Sequence, residues 1–134
     1  RYTVIAPVYD AVVERASRAA RRRSIEQVAL RPGERVLVVG CGTGLDFPFL
    51  PVDVRVTAGD IAPAMVRRAQ ARADALALDA DVQVLDAHRL DLPDASFDLV
   101  VLHLVLAVVP DPVAAIGEVR RVLAPDGRVA ILDK

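Results

Sequence analysis

The run Val36-Leu37-Val38-Val39 passes directly into Gly40-Cys41-Gly42-Thr43-Gly44, and this junction constrains the fold more than any other stretch of the chain. A short run of β-branched and apolar residues reads as a buried strand over 35–39, because it is too brief for a helix. Glycine is needed where the chain turns sharply off a strand end, and where a ligand must approach the backbone with no Cβ in the way. Gly40, Gly42 and Gly44 meet that need. Taken alone, the same pattern also suits a tight turn that binds nothing. Asp60 adds a second feature. It closes the next apolar run 20 residues after Gly40, where an acid can accept hydrogen bonds from a ribose.

The remaining pattern alternates strand and helix. Residues 8–30 are rich in Ala, Arg and Glu, with Val12, Val13, Ala16, Ala19 and Ala20 at helical spacing, and predict one or two helices. Arg31, Pro32 and Gly33 end them. After Gly44, Pro48 and Pro51 leave room for only a short helix. Residues 54–58 predict a second strand, and Pro63 opens a crossover helix over 65–78. Third and fourth strands follow at 82–85 and 97–102, the latter continuing as an apolar segment to Val109. Asp111 is placed to cap a helix with Pro112 at its first position and Val113, Ile116, Val119, Val122 and Leu123 on one face. Pro125, Asp126 and Gly127 turn the chain into a last strand over 128–132. Strands separated by helical crossovers pair in parallel, and strands that are apolar at nearly every residue are covered on both faces. The expected architecture is α/β, a Rossmann-like doubly wound parallel sheet. One domain spans 1–134, with an N-terminal helical segment (1–33) and a sheet core (34–134).

Composition supports one core and excludes several classes. The chain has 134 residues, 54% of them apolar, yet aromatics reach only 4% and Trp is absent, so Ala and Val must build a thin, tightly spaced interior. The longest apolar stretch, 99–109, contains His103 and falls short of the ~18 residues of a membrane span. A net charge of -1 provides no global field to recruit nucleic acid. Cys41 is the only cysteine, which excludes an internal disulfide and a cysteine-based metal cluster and fits a reducing, cytoplasmic setting. The first residue is Arg1 rather than Met, and no signal-peptide pattern follows it, so the chain reads as trimmed.

Glycine spacing separates two nucleotide ligands. A dinucleotide site uses Gly-x-Gly-x-x-Gly and a well-aimed helix beneath a pyrophosphate, but Leu45 occupies the third-glycine position and the prolines shorten the helix. The loop suits a ligand without phosphate, and an NAD-dependent oxidoreductase is disfavoured. From about residue 36 to 132 the sequence resembles the class I S-adenosylmethionine-dependent methyltransferases. Gly40-Cys41-Gly42-Thr43-Gly44 resembles the first motif of that family and Gly59-Asp60-Ile61-Ala62-Pro63-Ala64-Met65 the second. Asp86-Ala87 with Leu92-Pro93 resembles the third, Asp94-Ala95-Ser96-Phe97-Asp98-Leu99-Val100 the fourth strand, and the segment from Glu118 to Gly127 the turn into the fifth.

The resemblance implies a seven-stranded sheet of order 3-2-1-4-5-7-6, of which strands one to five are present and the C-terminal two are missing. It implies S-adenosylmethionine as cofactor, S-adenosylhomocysteine as product, and a methyl acceptor that is a small molecule or lipid head group. By the same resemblance Asp60 accepts from the ribose hydroxyls, Ile61 and Ala87 enclose the adenine, and Asp86 accepts from its exocyclic amine. Gly40, Cys41, Gly42 and Gly44 let the methionine portion lie against the backbone. His103 sits beside that portion or the reacting methyl, and it is the one weak catalytic candidate; its apolar neighbourhood also suits a satisfied structural imidazole. Tyr9, of the pair Tyr9-Asp10, covers the cofactor as a lid, or else anchors its helix to the core. The segment from Gly44 to Pro51 and the arginine-rich helix faintly resemble bacterial phosphatidylethanolamine and quinone methyltransferases.

Two positions depart from the family. Val38 stands where an acid usually helps to hold the cofactor's amino group, and Ala62 where Ser or Thr usually caps the helix. Val38 keeps open a non-catalytic nucleoside- or partner-binding module of the same fold. Among the remaining candidates, Cys41 reads as a small packed side chain and His88 as a solvated loop residue. Arg15, Arg18, Arg21, Arg22 and Arg23 form a solvated face or a patch for an anionic substrate or lipid, which leaves peripheral membrane contact open. No metal is expected, and methyl transfer from a sulfonium needs positioning more than acid-base help.

Overall fold

The computed structural model describes residues 15–132. In chain order the elements are a helix α1 over residues 15–26, β1 (Arg35–Val39), a 3-10 turn (Phe47–Phe49), β2 (Arg55–Asp60), α2 (Pro63–Ala75), β3 (Asp79–Val84), β4 (Phe97–His103), α3 (Pro112–Val122) and β5 (Leu123–Leu132). The five strands form one sheet in the order β3-β2-β1-β4-β5, and every neighbouring pair is parallel. This is the expected Rossmann-like arrangement. The first part of the predicted N-terminal helix, residues 8–14, lies outside the described residues.

Side-chain alternation divides the core into two layers, because successive strand residues point to opposite faces. Val36, Val38, Val56, Ala58, Leu99 and Val101 pack on one face with Ile25 of α1 and Ala69 and Ala73 of α2. On the other face Leu37, Val39, Val100 and Leu102 pack with Val119 and Val122 of α3. Ala69 and Ala73 of α2 are fully buried and let that helix lie close to the sheet, which suits a core nearly free of aromatics.

Several boundaries differ from expectation, each for a local reason. β2 continues to Asp60 because its pairing with β3 persists to Val84. β3 begins at Asp79, three residues early, although Asp79, Asp81 and Gln83 make its pattern polar. As an edge strand it needs only one covered face, and the Gln70 side chain reaches it from α2, donating to Ala80 O at 3.3 Å and accepting from Val82 N at 3.1 Å. β5 starts directly at the end of α3, with Phe97 opposite Leu123 and Leu99 opposite Arg128. The Pro125-Asp126-Gly127 turn therefore bulges from within β5 instead of preceding it. Asp111 caps α3 as expected, its side chain accepting from Ala114 N at 3.1 Å. α2 has no side-chain cap at Ala62, but Asp60 Oδ1 accepts from Ala62 N at 3.0 Å.

β2 leads away from β1 on one side and β4 lies against it on the other, so the order reverses at β1. In open parallel sheets the crevice beyond the carboxyl ends at such a reversal is where ligands bind.

Candidate functional site

At the carboxyl end of β1 the backbone turns through Gly40, Gly42 and Gly44, all with positive φ. A Cβ on Gly40 would fall 2.7 Å from Val105 Cγ2, and one on Gly44 would fall 2.6 Å from Phe47 Cδ2, so at these two positions both conformation and space demand glycine. The loop is pinned to β2: Cys41 N donates to Gly59 O at 2.9 Å, and Gly42 N donates to Asp60 Oδ2 at 2.9 Å. With Ala62 N on the other oxygen, the Asp60 carboxylate orders the glycine loop and the start of α2 together. Each oxygen retains a lone pair for a further donor.

Beyond these strand ends lies a cavity of about 480 Å³, lined by Gly40, Asp60, Ile61, Leu85, Asp86, Ala87 and His88 on one side and by Leu104, Val105, Val108, Val109 and Pro110 on the other. Leu104 has φ 61°, an uncommon conformation for a branched side chain. It redirects the chain out of β4, so that the following residues become the second wall. The cavity chemistry is specific: apolar walls, two carboxylates, and no arginine or lysine in its described lining. Ile61 is 66% and Val108 76% exposed, apolar surface open to a flat partner.

Asp86 Oδ1 accepts from His88 N at 2.9 Å and from His88 Nδ1 at 2.8 Å. These bonds, the backbone one foremost, hold its carboxyl below the usual carboxylate range, so it is ionised and acceptor-only at neutral pH. Asp111 N lies 3.1 Å from His88 Nε2 and donates to it, so the ring's own proton sits on Nδ1. The ring thereby links the β3 loop to the cap of α3. His88 is thus a half-buried wall residue, held on both sides, where a solvated loop residue was expected. Its signal in the sequence was its place two residues after Asp86.

The structure brings Gly40, Asp60, Ile61, Asp86 and Ala87 together at the cavity, as expected. Cys41, Gly42 and Gly44 are not in its lining. Cys41 is buried, and burial pushes its thiol up to about 12, in keeping with the packed role read for it. Tyr9 lies outside the described residues. His103 requires a correction. Its side chain is 0% exposed, with Nδ1 2.6 Å from Asp46 Oδ1 and Nε2 2.7 Å from Ser24 Oγ. It therefore lies beneath α1, outside the lining, with both ring nitrogens held by protein groups. Asp46, which the sequence reading passed over, also accepts from Arg21 Nη1 at 3.0 Å, and Arg21 Nε donates to Ser17 Oγ at 2.9 Å. An acid flanked by Leu45 and Phe47 is the one local sign of this buried ion pair. Val38 is buried among apolar neighbours on the same sheet face.

Comparison with known proteins accords with this geometry. A family described as a methyltransferase domain matches residues 37–131, from β1 through β5. The chain belongs to that methyltransferase family. The domain is similar to a phosphatidylethanolamine N-methyltransferase of Cereibacter sphaeroides, 37% identical over 94% of this chain and 63% of that protein. It is likewise 37% identical to a 2-phytyl-1,4-naphtoquinone methyltransferase of Synechococcus elongatus, over 96% of this chain and 60% of the relative. Among solved structures the [4+2]-cyclase SpnF superposes with a TM-score of 0.84 and 25% identity, covering 97% of this chain and 57% of that one. The methyltransferase domain thus spans about six-tenths of the length of these relatives. No helix among its described residues is long and apolar enough to cross a membrane.

Proposed function

We propose that the protein is an S-adenosylmethionine-dependent methyltransferase acting on a small-molecule or lipid-like acceptor, with residues 1–134 forming the cofactor-binding domain in the cytoplasm. One observation carries the reading: two carboxylates, Asp60 and Asp86, face one apolar cavity whose lining among the described residues holds no arginine or lysine. Such a site suits a ligand that offers hydroxyl and amine donors around a flat apolar ring and bears no phosphate. An adenosine moiety has that chemistry. Asp60 would take the ribose hydroxyls on its two remaining lone pairs, and Asp86 Oδ2 the exocyclic amine. Ile61, Leu85 and Ala87 would enclose the ring. Gly40 would let the amino-acid portion run against the backbone, with Gly42 and Gly44 shaping the loop from behind.

When bound, S-adenosylmethionine supplies an electrophilic methyl group on a sulfonium. The chain's own part is to fix orientation and exclude water: His88 holds the Asp86 carboxylate, and Val105, Val108 and Val109 wall the cavity. No acid-base dyad is needed, because an in-line displacement at a sulfonium depends mainly on positioning. The kinship to phosphatidylethanolamine and naphthoquinone methyltransferases supports an acceptor carrying a lipid or polyprenyl-like portion.

A second reading, a nucleoside-binding module without turnover, is favoured by the buried Val38, since a charge-assisted contact to the cofactor's ammonium is worth ~1.5–3 kcal/mol. One experiment separates the two. Calorimetry with S-adenosylhomocysteine, followed by transfer of labelled methyl to dispersed phosphatidylethanolamine and a demethylated quinol, is expected to show binding and turnover. Binding without turnover by the full-length protein supports the module. NAD binding more tightly than S-adenosylhomocysteine would remove both.

A further inference from the structure

The loop that carries Asp86 has no sheet ladder to fix it. Residues 85–96, between β3 and β4, form only turns and one isolated bridge, Asp86 with Arg89. Yet Leu85, Asp86, Ala87 and His88 make one wall of the strand-end cavity. At the near end Leu85 N donates to Asp60 O at 3.1 Å, and Arg89 N donates to Asp86 O at 3.0 Å to close the turn. Farther on, Leu90 is buried in, and Leu92 packs against, the apolar layer that holds Val119 and Val122 of α3. Apolar burial is non-directional, so it holds the loop down without setting the orientation of the residues before it.

Orientation is set from α3 by one pair of side chains. Glu118 Oε1 accepts from Leu90 N at 2.7 Å, and Arg121 Nη2 donates to Leu90 O at 2.7 Å. Leu90 is 4% exposed, so without the pair both its backbone polar groups would be buried unmet. The same guanidinium donates through Nη1 to Leu92 O at 2.8 Å and to Asp94 Oδ1 at 2.7 Å. Its Nε and Nη2 donate to Glu118 Oε2 at 3.0 Å and Oε1 at 3.1 Å. The planar fork of arginine makes these bonds together, which the three donors of a lysine ammonium could not. A spacing of three puts both side chains on one side of the helix. The start of α3 grips the same loop through Asp111 N, which donates to His88 Nε2 at 3.1 Å. Neither Glu118 nor Arg121 lines the cavity; what they fix is the residue that directly follows the Asp86–Arg89 turn.

We propose that Arg121, oriented by Glu118, is a positioning residue for purine recognition: by fixing Leu90 and Leu92 it holds the Asp86 carboxylate where that group reads the exocyclic amine of the cofactor's base. The proposal rests on the reading of the strand-end cavity as an adenosine site. A hydrogen bond weakens steeply as its angle falls below ~120°. Loosening the loop therefore costs discrimination between bases before it costs the ribose contact, which Asp60 makes from β2.

The test compares two ligands on the full-length protein by calorimetric titration. S-adenosylhomocysteine carries the exocyclic amine, and S-inosylhomocysteine has in its place a carbonyl oxygen, which meets the Asp86 carboxylate as a second acceptor. The parent is expected to prefer the amine by at least about tenfold. In Arg121→Met that preference is expected to fall by at least about fivefold. Arg121→Lys keeps the charge without the fork and is expected to reduce it by at least about threefold; it decides the matter if Arg121→Met fails to fold. The control Arg120→Met, at an exposed neighbouring position of α3, is expected to keep the parent's preference within about twofold. A merely structural role would lower the melting temperature and leave the preference as it was. That result in the folded Arg121 variants, or an equal loss in the control, overturns the positioning role while the adenosine reading stands. A parent that binds both ligands alike overturns the adenosine reading and this proposal with it, so the two failures are distinct.

Discussion

Replacing Asp60 by alanine gives the sharpest prediction, because one carboxylate performs two separable tasks. Its oxygens accept from Gly42 N at 2.9 Å and Ala62 N at 3.0 Å, and they face the cavity where a ribose would lie. Hydrogen bonds to a charged group contribute about 1.5–3 kcal/mol each. The site is only partly buried and water can replace part of each bond, so the lower value applies, and two lost bonds amount to about 3 kcal/mol of stability. At roughly 4 °C per kcal/mol for a chain of this size, the melting temperature should fall by about 12 °C. Affinity for S-adenosylhomocysteine should fall separately by about 1–3 kcal/mol, or roughly 5- to 150-fold. Asp60→Asn keeps the shape and one acceptor oxygen, so it should lose about half as much stability. Calorimetric titration and thermal melts of the three proteins measure both quantities. An Asp60→Ala protein that is folded, melts with the parent and binds S-adenosylhomocysteine within twofold would refute the assignment of Asp60 to either task.

Further predictions concern groups outside the ligand contacts. Cys41 has its thiol raised to about 12 by burial, so at pH 8 its thiolate fraction is about 10⁻⁴, and alkylation should await unfolding; reaction with iodoacetamide as fast as that of a free thiol would contradict this. Gly59→Ala would put a Cβ 2.3 Å from Leu85 Cδ1 and 2.6 Å from its Cβ, forcing a buried side chain to move. A loss of about 1–3 kcal/mol in urea unfolding is expected, and an unchanged midpoint would show that Leu85 yields freely. Asp46→Ala leaves Arg21 buried without its partner and should cost about 3 kcal/mol, whereas Arg21→Met in the same background should recover part of that loss. Additive losses would mean that the pair is not coupled.

Acid sensitivity follows from three carboxylates that, besides Asp86, are held below their ordinary range. Glu34 is lowered chiefly by the backbone N–H of Arg31 and also by Arg128, Asp98 by the Arg35 side chain, and Glu118 by the Arg121 side chain. Their contribution is complete above the unfolded-state values of 4.5 for Glu and 3.8 for Asp, and it is lost as pH falls below these through the folded values. The urea midpoint should therefore hold from pH 7 to about 5 and drop below about 4.5; a midpoint constant down to pH 3 would exclude these pairs as contributors.

Most of the strand-end site was legible because it is built from local signals. A strand that meets glycines, and an acid that ends the next strand, mark positions that parallel pairing must bring side by side at one edge of the sheet. Gly40 and Asp60 were found in this way, whereas Ile61, Asp86 and Ala87 came from the resemblance to the methyltransferase family. Edge strand β3 was read short because its polar residues break the apolar pattern, and β5 was read late because its turn bulges within a continuing ladder. The two histidines exchanged roles. His88 looked solvated in its polar loop yet lines the cavity, while His103 looked close to the chemistry and is buried by Asp46 and Ser24.

The sequence by itself determined the α/β class, the strand succession and the Asp60 carboxylate at a strand end, since periodicity, glycine placement and spacing along the chain carry that information. Only the tertiary structure decided on which face each strand-end side chain falls, and what meets it there. His103 belongs to the α1 side because it ends β4 in phase with Leu99 and Val101. The left-handed turn at Leu104 then sends Val105 to the opposite face. The partner of His103, Asp46, is 57 residues away in the chain. Local pattern cannot encode such meetings, because a hydrogen bond or a shared field between distant segments exists only once the sheet has fixed where those segments lie.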